Sequence, residues 1–297
     1  MILVLMSSYN GEKYIEEQIE SLLAQEGVDF KILVRDDGST DSTLLILQKY
    51  KTEGKIDYYI GENIGWRKSF FDLMFNAPES DYYAFCDQDD YWLPEKLKVA
   101  IDKLNELPDG LKLYESNTTY WKNGELMGMT RKSAPLDNKY YRHLFILGPG
   151  CTYVFNRDTL EVIKKYPPNI EVEHDVWVQR TVNLLGNIYY DMDSHILYRQ
   201  HGNNEMGATI NFKDNLKRRF SYYKNMKGKH PLEYKSKELL NCYCNLLTDK
   251  ELEICTITSS YRNNIFYYLR MVFSSKFNGE NITRTIGFKL RVLLRHI

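Results

Sequence analysis

Three carboxylates fall within four residues at Asp87-Gln88-Asp89-Asp90, directly after the apolar run Tyr82-Tyr83-Ala84-Phe85-Cys86 and just before Trp92-Leu93-Pro94. Carboxylates crowded at the end of a buried strand repel one another, so the cluster points to a divalent cation or to shifted pKa values. A cap for the helix that Pro94 can open would need one aspartate. Three favour a cation, and a cation at a strand end suits an anionic ligand such as a diphosphate. A second acidic pair, Asp36-Asp37, precedes Gly38-Ser39-Thr40. A carboxylate on such a turn can accept the imide hydrogen of a pyrimidine base, or simply close the turn on itself. Arg67 and Lys68 follow the loop Asn63-Ile64-Gly65 by one helical turn and either reach phosphate or face solvent. Asp175 stands at the expected start of a helix, two residues before Trp177, where an aspartate commonly serves as a cap.

Short apolar strands alternating with helical patterns position these groups. Strands are expected at 2–6, 31–35, 56–60 and 82–86, and helices at 11–25, 41–52, 66–77 and 94–106; Ile15, Ile19, Leu22 and Leu23 give the first helix its period. This alternation predicts an α/β fold with right-handed crossovers and a mostly parallel central sheet flanked by helices. All four strands then deliver polar segments to one edge: Ser7-Ser8-Tyr9-Asn10, Asp36-Asp37-Gly38-Ser39, Glu62-Asn63-Ile64-Gly65 and the acidic tetrad. Beyond residue 107 the pattern is mixed. A strand is expected at Leu111 to Tyr120, a hairpin turn at Asn123-Gly124, and a strand from Cys151 to Phe155 after Gly148-Pro149-Gly150. Helices follow at 157–165 and 175–185, with short strands at 188–190 and 196–198. Past Gly207 only helical patterns remain, which divides the chain into 1–205 and a basic helical region, 206–297.

The 297 residues, 43% hydrophobic and 27% charged, describe a globular protein with room for a large core. The opening Met1-Ile2-Leu3-Val4-Leu5-Met6 is too short and lacks the basic flank of a signal peptide. Five cysteines, odd in number and without metal spacing, point to a reducing compartment, by default the cytoplasm. The net charge of −1 conceals an asymmetry, since from Asn211 onward 17 Lys and Arg stand against 7 Asp and Glu.

The order Ser-Tyr-Asn-Gly, Arg35-Asp36-Asp37-Gly38-Ser39-Thr40-Asp41, Asn63-Ile64-Gly65 and the tetrad with Trp92-Leu93-Pro94 resembles the family 2 glycosyltransferases. Two later segments, His174-Asp175-Val176-Trp177 and Tyr198-Arg199-Gln200-His201-Gly202-Asn203-Asn204, are similar to bacterial rhamnosyltransferase-type members that build cell-surface polysaccharides. The resemblance covers about residues 1–205. It implies the GT-A fold, a Rossmann-like domain using a nucleotide-diphospho-sugar donor, with dTDP-rhamnose as the expected donor. It assigns base recognition to Asp37 beside Asp36, and the nucleotide pocket to Ser7 and Tyr9, with Asn63, Gly65, Arg67 and Arg199 also on the donor side. Aligned back from Pro94, Asp89 takes the metal position, Asp87 supports the metal or the ribose, and Asp90 lies nearer the donor sugar or the next turn. His201 is expected over the diphosphate or in the metal shell. The metal would be Mn2+ or Mg2+, which carboxylate oxygens suit. Asp175 matches the catalytic base of an inverting displacement, and Gly150 and Trp177 fall on the acceptor side.

In the basic region Phe212, Leu216, Arg219, Phe220 and Tyr223 recur near helical spacing among Lys213, Lys217, Arg218 and Lys224, and Phe288, Leu290, Val292, Leu293 and Leu294 accompany Lys289, Arg291 and Arg295. Such helices either lie on anionic lipid at the inner membrane face, near a glycan or lipid-linked acceptor, or pack on the catalytic domain or another subunit. Nucleic acid is a poorer partner because the first 210 residues are acidic. Three rivals stay open: the same fold with a UDP-hexose donor, a nucleotidyltransferase, and a non-catalytic nucleotide-sugar binding module. The second lacks support from a glycine-rich basic phosphate loop after the first strand.

Overall fold

A computed structural model describes residues 1–201 and 231–295. The first third runs β1 (Ile2–Ser8), α1 (Ile15–Leu23), β2 (Phe30–Asp36), α2 (Thr43–Thr52), β3 (Asp57–Ile60), α3 (Trp66–Asn76), β4 (Tyr82–Cys86), β5 (Tyr91–Trp92) and α4 (Lys96–Glu106). The middle continues with β6 (Leu111–Lys122), β7 (Glu125–Met129), α5 (Lys139–Leu144), a 3-10 turn at Gly150–Thr152, β8 (Val154–Asn156), α6 (Arg157–Lys165), α7 (His174–Leu185) and β9 (Gly186–Arg199). After residue 230 come α8 (Pro231–Tyr243), α9 (Asp249–Ser260), α10 (Ile265–Phe273) and α11 (Ile282–Leu293).

β1 sets the layering. Its side chains alternate, with Ile2, Val4 and Met6 entering one core and Leu3 and Leu5 the other. The first core is closed by Ile15, Ile19 and Leu22 of α1, Leu47 of α2, and Leu97, Ala100 and Leu104 of α4. The second is closed by Phe70, Leu73 and Met74 of α3, Leu160 and Ile163 of α6, and Trp177, Val178 and Val182 of α7. Leu239 and Tyr243 of α8 and Cys255 of α9 share that second core, so the carboxyl-terminal helices are packed into the sheet's own interior. A third cluster joins α5 to the last helices through Tyr140, Ile254, Ile257, Tyr261, Met271, Phe277, Phe288 and Val292.

The strand order is β3-β2-β1-β4-β8-β6-β9-β5, with β7 hairpinned onto β6. The β3-β2-β1-β4 half is parallel throughout, as alternation requires. The other half is mixed, so the parallel pairing expected of the sheet is broken by antiparallel strands on this side. β8 is antiparallel to both β4 and β6, β9 is parallel to β6, and β5 is antiparallel to β9. The expected short strands at 188–190 and 196–198 are one strand, β9, whose register against β6 shifts near Ser116 and Asn117. Asn123 and Gly124 take positive φ of 51° and 85°, the turn that an Asn-Gly hairpin demands. Among the described residues no helix is long and apolar enough to cross a membrane. The division near residue 206 and the 212–224 stripe lie outside the described residues.

Candidate active site

The carboxyl ends of β1, β2 and β4 meet at one edge, and side chains lock their loops together. Tyr9 donates its backbone N–H to Gln88 Oε1 at 2.9 Å, and Gln88 Nε2 returns a bond to the Tyr9 carbonyl at 3.0 Å. This two-way clasp requires Gly11, since a Cβ there would stand 2.3 Å from Gln88 Oε1. Gln88, the one neutral member of the tetrad, thus holds the acidic loop against the loop after β1.

Asp36 and Asp37 are both buried and both supplied with donors. Asp36 accepts from Ser39 N at 2.7 Å, Ser39 Oγ at 2.6 Å and Ser8 Oγ at 2.9 Å. Asp37 Oδ1 pairs with Arg35 at 2.5 Å and accepts from Ile64 N at 3.0 Å, and its Oδ2 accepts from Gly65 N at 2.9 Å. A carboxylate has about four acceptor positions, so one on Asp37 Oδ2 is left for a further donor. Asn63 and Gly65 contribute through this loop, whose backbone Asp37 fixes. Ser7 Oγ lies 2.6 Å from Ser69 Oγ, which also receives Arg35 at 3.1 Å, and Tyr9, two residues further on, is 45% exposed.

The tetrad is built differently. Asp90 is completely buried; its Oδ1 accepts Arg199 N–H at 3.0 Å, while Oδ2 has no hydrogen-bond partner among the described residues. Burial first, then Asp89 and Asp87, hold the Asp90 carboxyl well above the usual range. Asp87, partly exposed, is raised by burial, then by Asp89 and by Asp175. Asp89 meets His201 Nε2 at 2.7 Å, and the His201 ring stacks on Tyr14 at 5.1 Å. Asp87, Asp90 and Cys151 present ligand-type atoms within 4.8 Å of one another. The buried Cys151 thiol is pushed well up by burial and by the two aspartates, so it stays protonated and suits a hard cation poorly. The orphaned Asp90 oxygen, the crowded Asp87 and the Asp89-His201 pair fit a Mg2+- or Mn2+-sized cation drawing on oxygen and imidazole. Beneath them Lys96 is fully buried, its Nζ 3.4 Å from the Trp92 ring centroid.

Of the two places expected for Asp90, the donor sugar or the next turn, its lack of exposed surface and its bond to the Arg199 backbone favour the turn. Arg199 is likewise committed: Nε donates to the Asp89 carbonyl at 2.7 Å, another nitrogen pairs with Glu17, and the guanidinium lies 4.1 Å from the Trp121 ring centroid. It braces the tetrad from β9.

Asp175 occupies the first turn of α7, where its Oδ1 accepts Val176 N–H at 2.7 Å. Burial pushes its carboxyl up to about 6, with Glu173 raising it further and Lys235 opposing. Gly150 allows the preceding turn to lie against it, because a Cβ at Gly150 would be 3.0 Å from Asp175 Cβ and 2.8 Å from His174 Nε2. His174 is sealed by Phe70, stacked at 3.9 Å, and Phe85, edge-on at 4.6 Å, and burial holds its imidazole neutral, down to about 3. Since Gly150 touches Asp175 while Cys151 faces Asp87 and Asp90, two consecutive residues bring α7 to the tetrad. Trp177 corrects its expectation: it is 1% exposed and packs on Tyr243, in the core behind Asp175. Arg67 faces this side too, with Nε 3.7 Å from Glu173 and its guanidinium over Trp66. Lys235 of α8 pairs with the same Glu173, and Glu238 accepts Asn169 N–H at 2.6 Å, so α8 ties down the segment leading to Asp175.

The Glycosyl transferase family 2 profile matches residues 3–164. The chain is similar to the dTDP-rhamnosyl transferase RfbG of Shigella flexneri, 35% identical over 229 residues that span 72% of this chain and 77% of that one. Among solved structures, S. aureus TarS 1–349 in complex with UDP-GlcNAc superposes with a TM-score of 0.58 at 20% identity, covering 98% of this chain and 81% of that one. The mannosyltransferase PcManGT from Pyrobaculum calidifontis, in complex with GDP-Man and Mn2+, does so with a TM-score of 0.50 at 12% identity, over 99% and 86%.

Proposed function

The chain belongs to glycosyl transferase family 2 and has the GT-A type of fold, and from that premise we propose that it is an inverting, metal-dependent rhamnosyltransferase. It moves L-rhamnose from dTDP-rhamnose to a hydroxyl of a cell-surface polysaccharide or lipid-linked glycan precursor, at the cytoplasmic face of the membrane. The observation that carries this reading is the Gly150-Cys151 turn, which sets a raised carboxylate, Asp175, beside the acidic end of β4. Asp175 takes the proton of the acceptor hydroxyl as its oxygen bonds to the anomeric carbon. The bond from that carbon to the diphosphate breaks on the opposite side, and the configuration inverts. Asp37 Oδ2 accepts the thymine imide hydrogen with its remaining position, while Ser7 and Tyr9 line the base and ribose. Asp89, Asp87 and His201 would hold Mn2+ or Mg2+. A divalent cation bound there neutralises charge on the leaving diphosphate.

The donor choice rests on the likeness to RfbG and is tested by thermal shift with Mn2+ and a panel of nucleotide sugars. Stabilisation by dTDP-rhamnose above every UDP-sugar is the expected result. The reverse ranking would replace the donor with a UDP-hexose.

A further inference from the structure

The last two helices leave their apolar sides uncovered. On α10, Phe266, Leu269 and Phe273 lie along one face and are 74%, 42% and 78% exposed; on α11, Ile282, Ile286 and Leu290, spaced four apart, are 73%, 51% and 51% exposed. Only Met271 of α10, and Phe288 and Val292 of α11, are buried, in the cluster shared with Tyr261 and Phe277. The pair is not frayed. Lys289 Nζ donates to the carbonyls of Met271 at 2.9 Å and Ser274 at 2.8 Å, capping the end of α10 from α11. Each helix therefore has a buried side that folds it and an equally apolar side facing water. Isolated exposed apolar residues are ordinary, but two stripes on adjoining helices mark a contact surface.

The charges choose the partner. From residue 262 to 295 the chain carries seven Lys and Arg and a single carboxylate, Glu280. Arg262, Arg270, Lys276 and Arg284 are matched by Glu233, Glu253 and Glu280, whereas Arg291 in the last turn of α11 and Arg295 just past its end have no ion pair among the described residues. A second copy of this chain is a poor occupant, because a two-fold contact sets the same patch, and the same cations, against itself. An apolar face bordered by cations instead matches a bilayer with anionic headgroups.

We propose that the exposed faces of α10 and α11 insert into the headgroup boundary of an anionic bilayer, with Arg291 and Arg295 contacting lipid phosphates. The inference builds on the reading that the acceptor is lipid-linked, and it names the surface that would hold the enzyme at that acceptor. The test is flotation of the full chain with vesicles of phosphatidylglycerol and phosphatidylethanolamine, against vesicles of phosphatidylcholine alone. Recovery with the anionic vesicles should be about tenfold higher. It should fall to the phosphatidylcholine level in the double variant Phe266→Ser/Phe273→Ser, and partly in Arg291→Gln/Arg295→Gln. Phe266, Phe273 and Arg295 are exposed and Arg291 is half-buried without an ion pair among the described residues, so both variants should keep the parent's thermal transition and its nucleotide-sugar binding measured without vesicles. Unchanged flotation by the Phe variant, or no preference for anionic lipid, would overturn the proposal. So would conversion of a dimer to a monomer by the Phe variant in light scattering, which would make the face a seam between copies. Failure of donor binding in vesicle-free solution would count against the catalytic reading alone.

Discussion

Two acidic loops flank the end of β1, one after β2 and one after β4, and the protein treats their charges in opposite ways. Asp36 and Asp37 are given hydroxyl and backbone donors and the Arg35 guanidinium, leaving little to accept. Around Asp87, Asp89 and Asp90 donors are scarce, and burial, reinforced by mutual repulsion, drives Asp87 and Asp90 upward. The first loop is a finished structural unit that also presents one oxygen. The second is left short of donors, which is the condition the proposed cation would relieve. The same residue type is thus well supplied with donors on one side of a strand and poorly supplied on the other, and the difference lies in the donors offered by neighbouring segments.

This contrast can be broken most directly at Asp175, which also lacks a full set of donors. Asp175→Asn should lower kcat by about 10² to 10⁴-fold with donor affinity and Tm retained; near-parental turnover would remove Asp175 from the mechanism. The pH dependence follows the same group. A base works deprotonated, and burial has raised Asp175 to about 6, so kcat/KM of the parent should fall about tenfold per unit below that pH. A flat acid limb would contradict the assignment. The Asp36-Asp37 side should respond in stability instead. Asp37→Ala leaves Arg35, 3% exposed, with Asp72 as its remaining ion partner, and should cost about 3 kcal/mol in urea unfolding; a loss under 1 kcal/mol would mean the pair is dispensable. The smallest effect is the metal's own. Mn2+ at about one hundred times its dissociation constant should add about 2.7 kcal/mol, seen as a higher Tm that Asp89→Ala abolishes. An equal rise in that variant would move the cation elsewhere.

How far the sequence reveals these arrangements depends on the range of the interactions. The β1–β4 half is legible because each strand and helix carries its own period and each loop its own polar cluster, so the convergence of Ser7, Asp37, Asn63 and Asp87 follows from parallel alternation alone. Beyond Gly110 the pairing partners are distant in sequence. Nothing local in Gly186–Arg199 says that it is one strand parallel to β6 and running past a register shift. Arg199 was legible as part of a motif but not as a brace, since its partners Glu17, Asp89 and Trp121 come from three separate elements. Cys151 reads as a scattered thiol until the Gly148–Gly150 turn delivers it to the tetrad. The charge asymmetry near residue 206 marks a change of surface. It does not mark a change of core, because Leu239, Tyr243 and Cys255 complete the interior around Trp177.

Lys96 carries one more consequence. Burial draws its ammonium down to about 8, with Cys151, Cys86 and Asp90 opposing the shift, so the share of nucleophilic free base near neutral pH is larger than for an ordinary lysine. Complete enclosure denies it any acylating reagent while β5 and α4 stay seated. The rate at which Lys96 becomes labelled is therefore a clock for transient opening of the tetrad's floor, built into the protein and needing no attached probe. A ligand that braced the tetrad from above, the proposed donor or cation, would slow that clock.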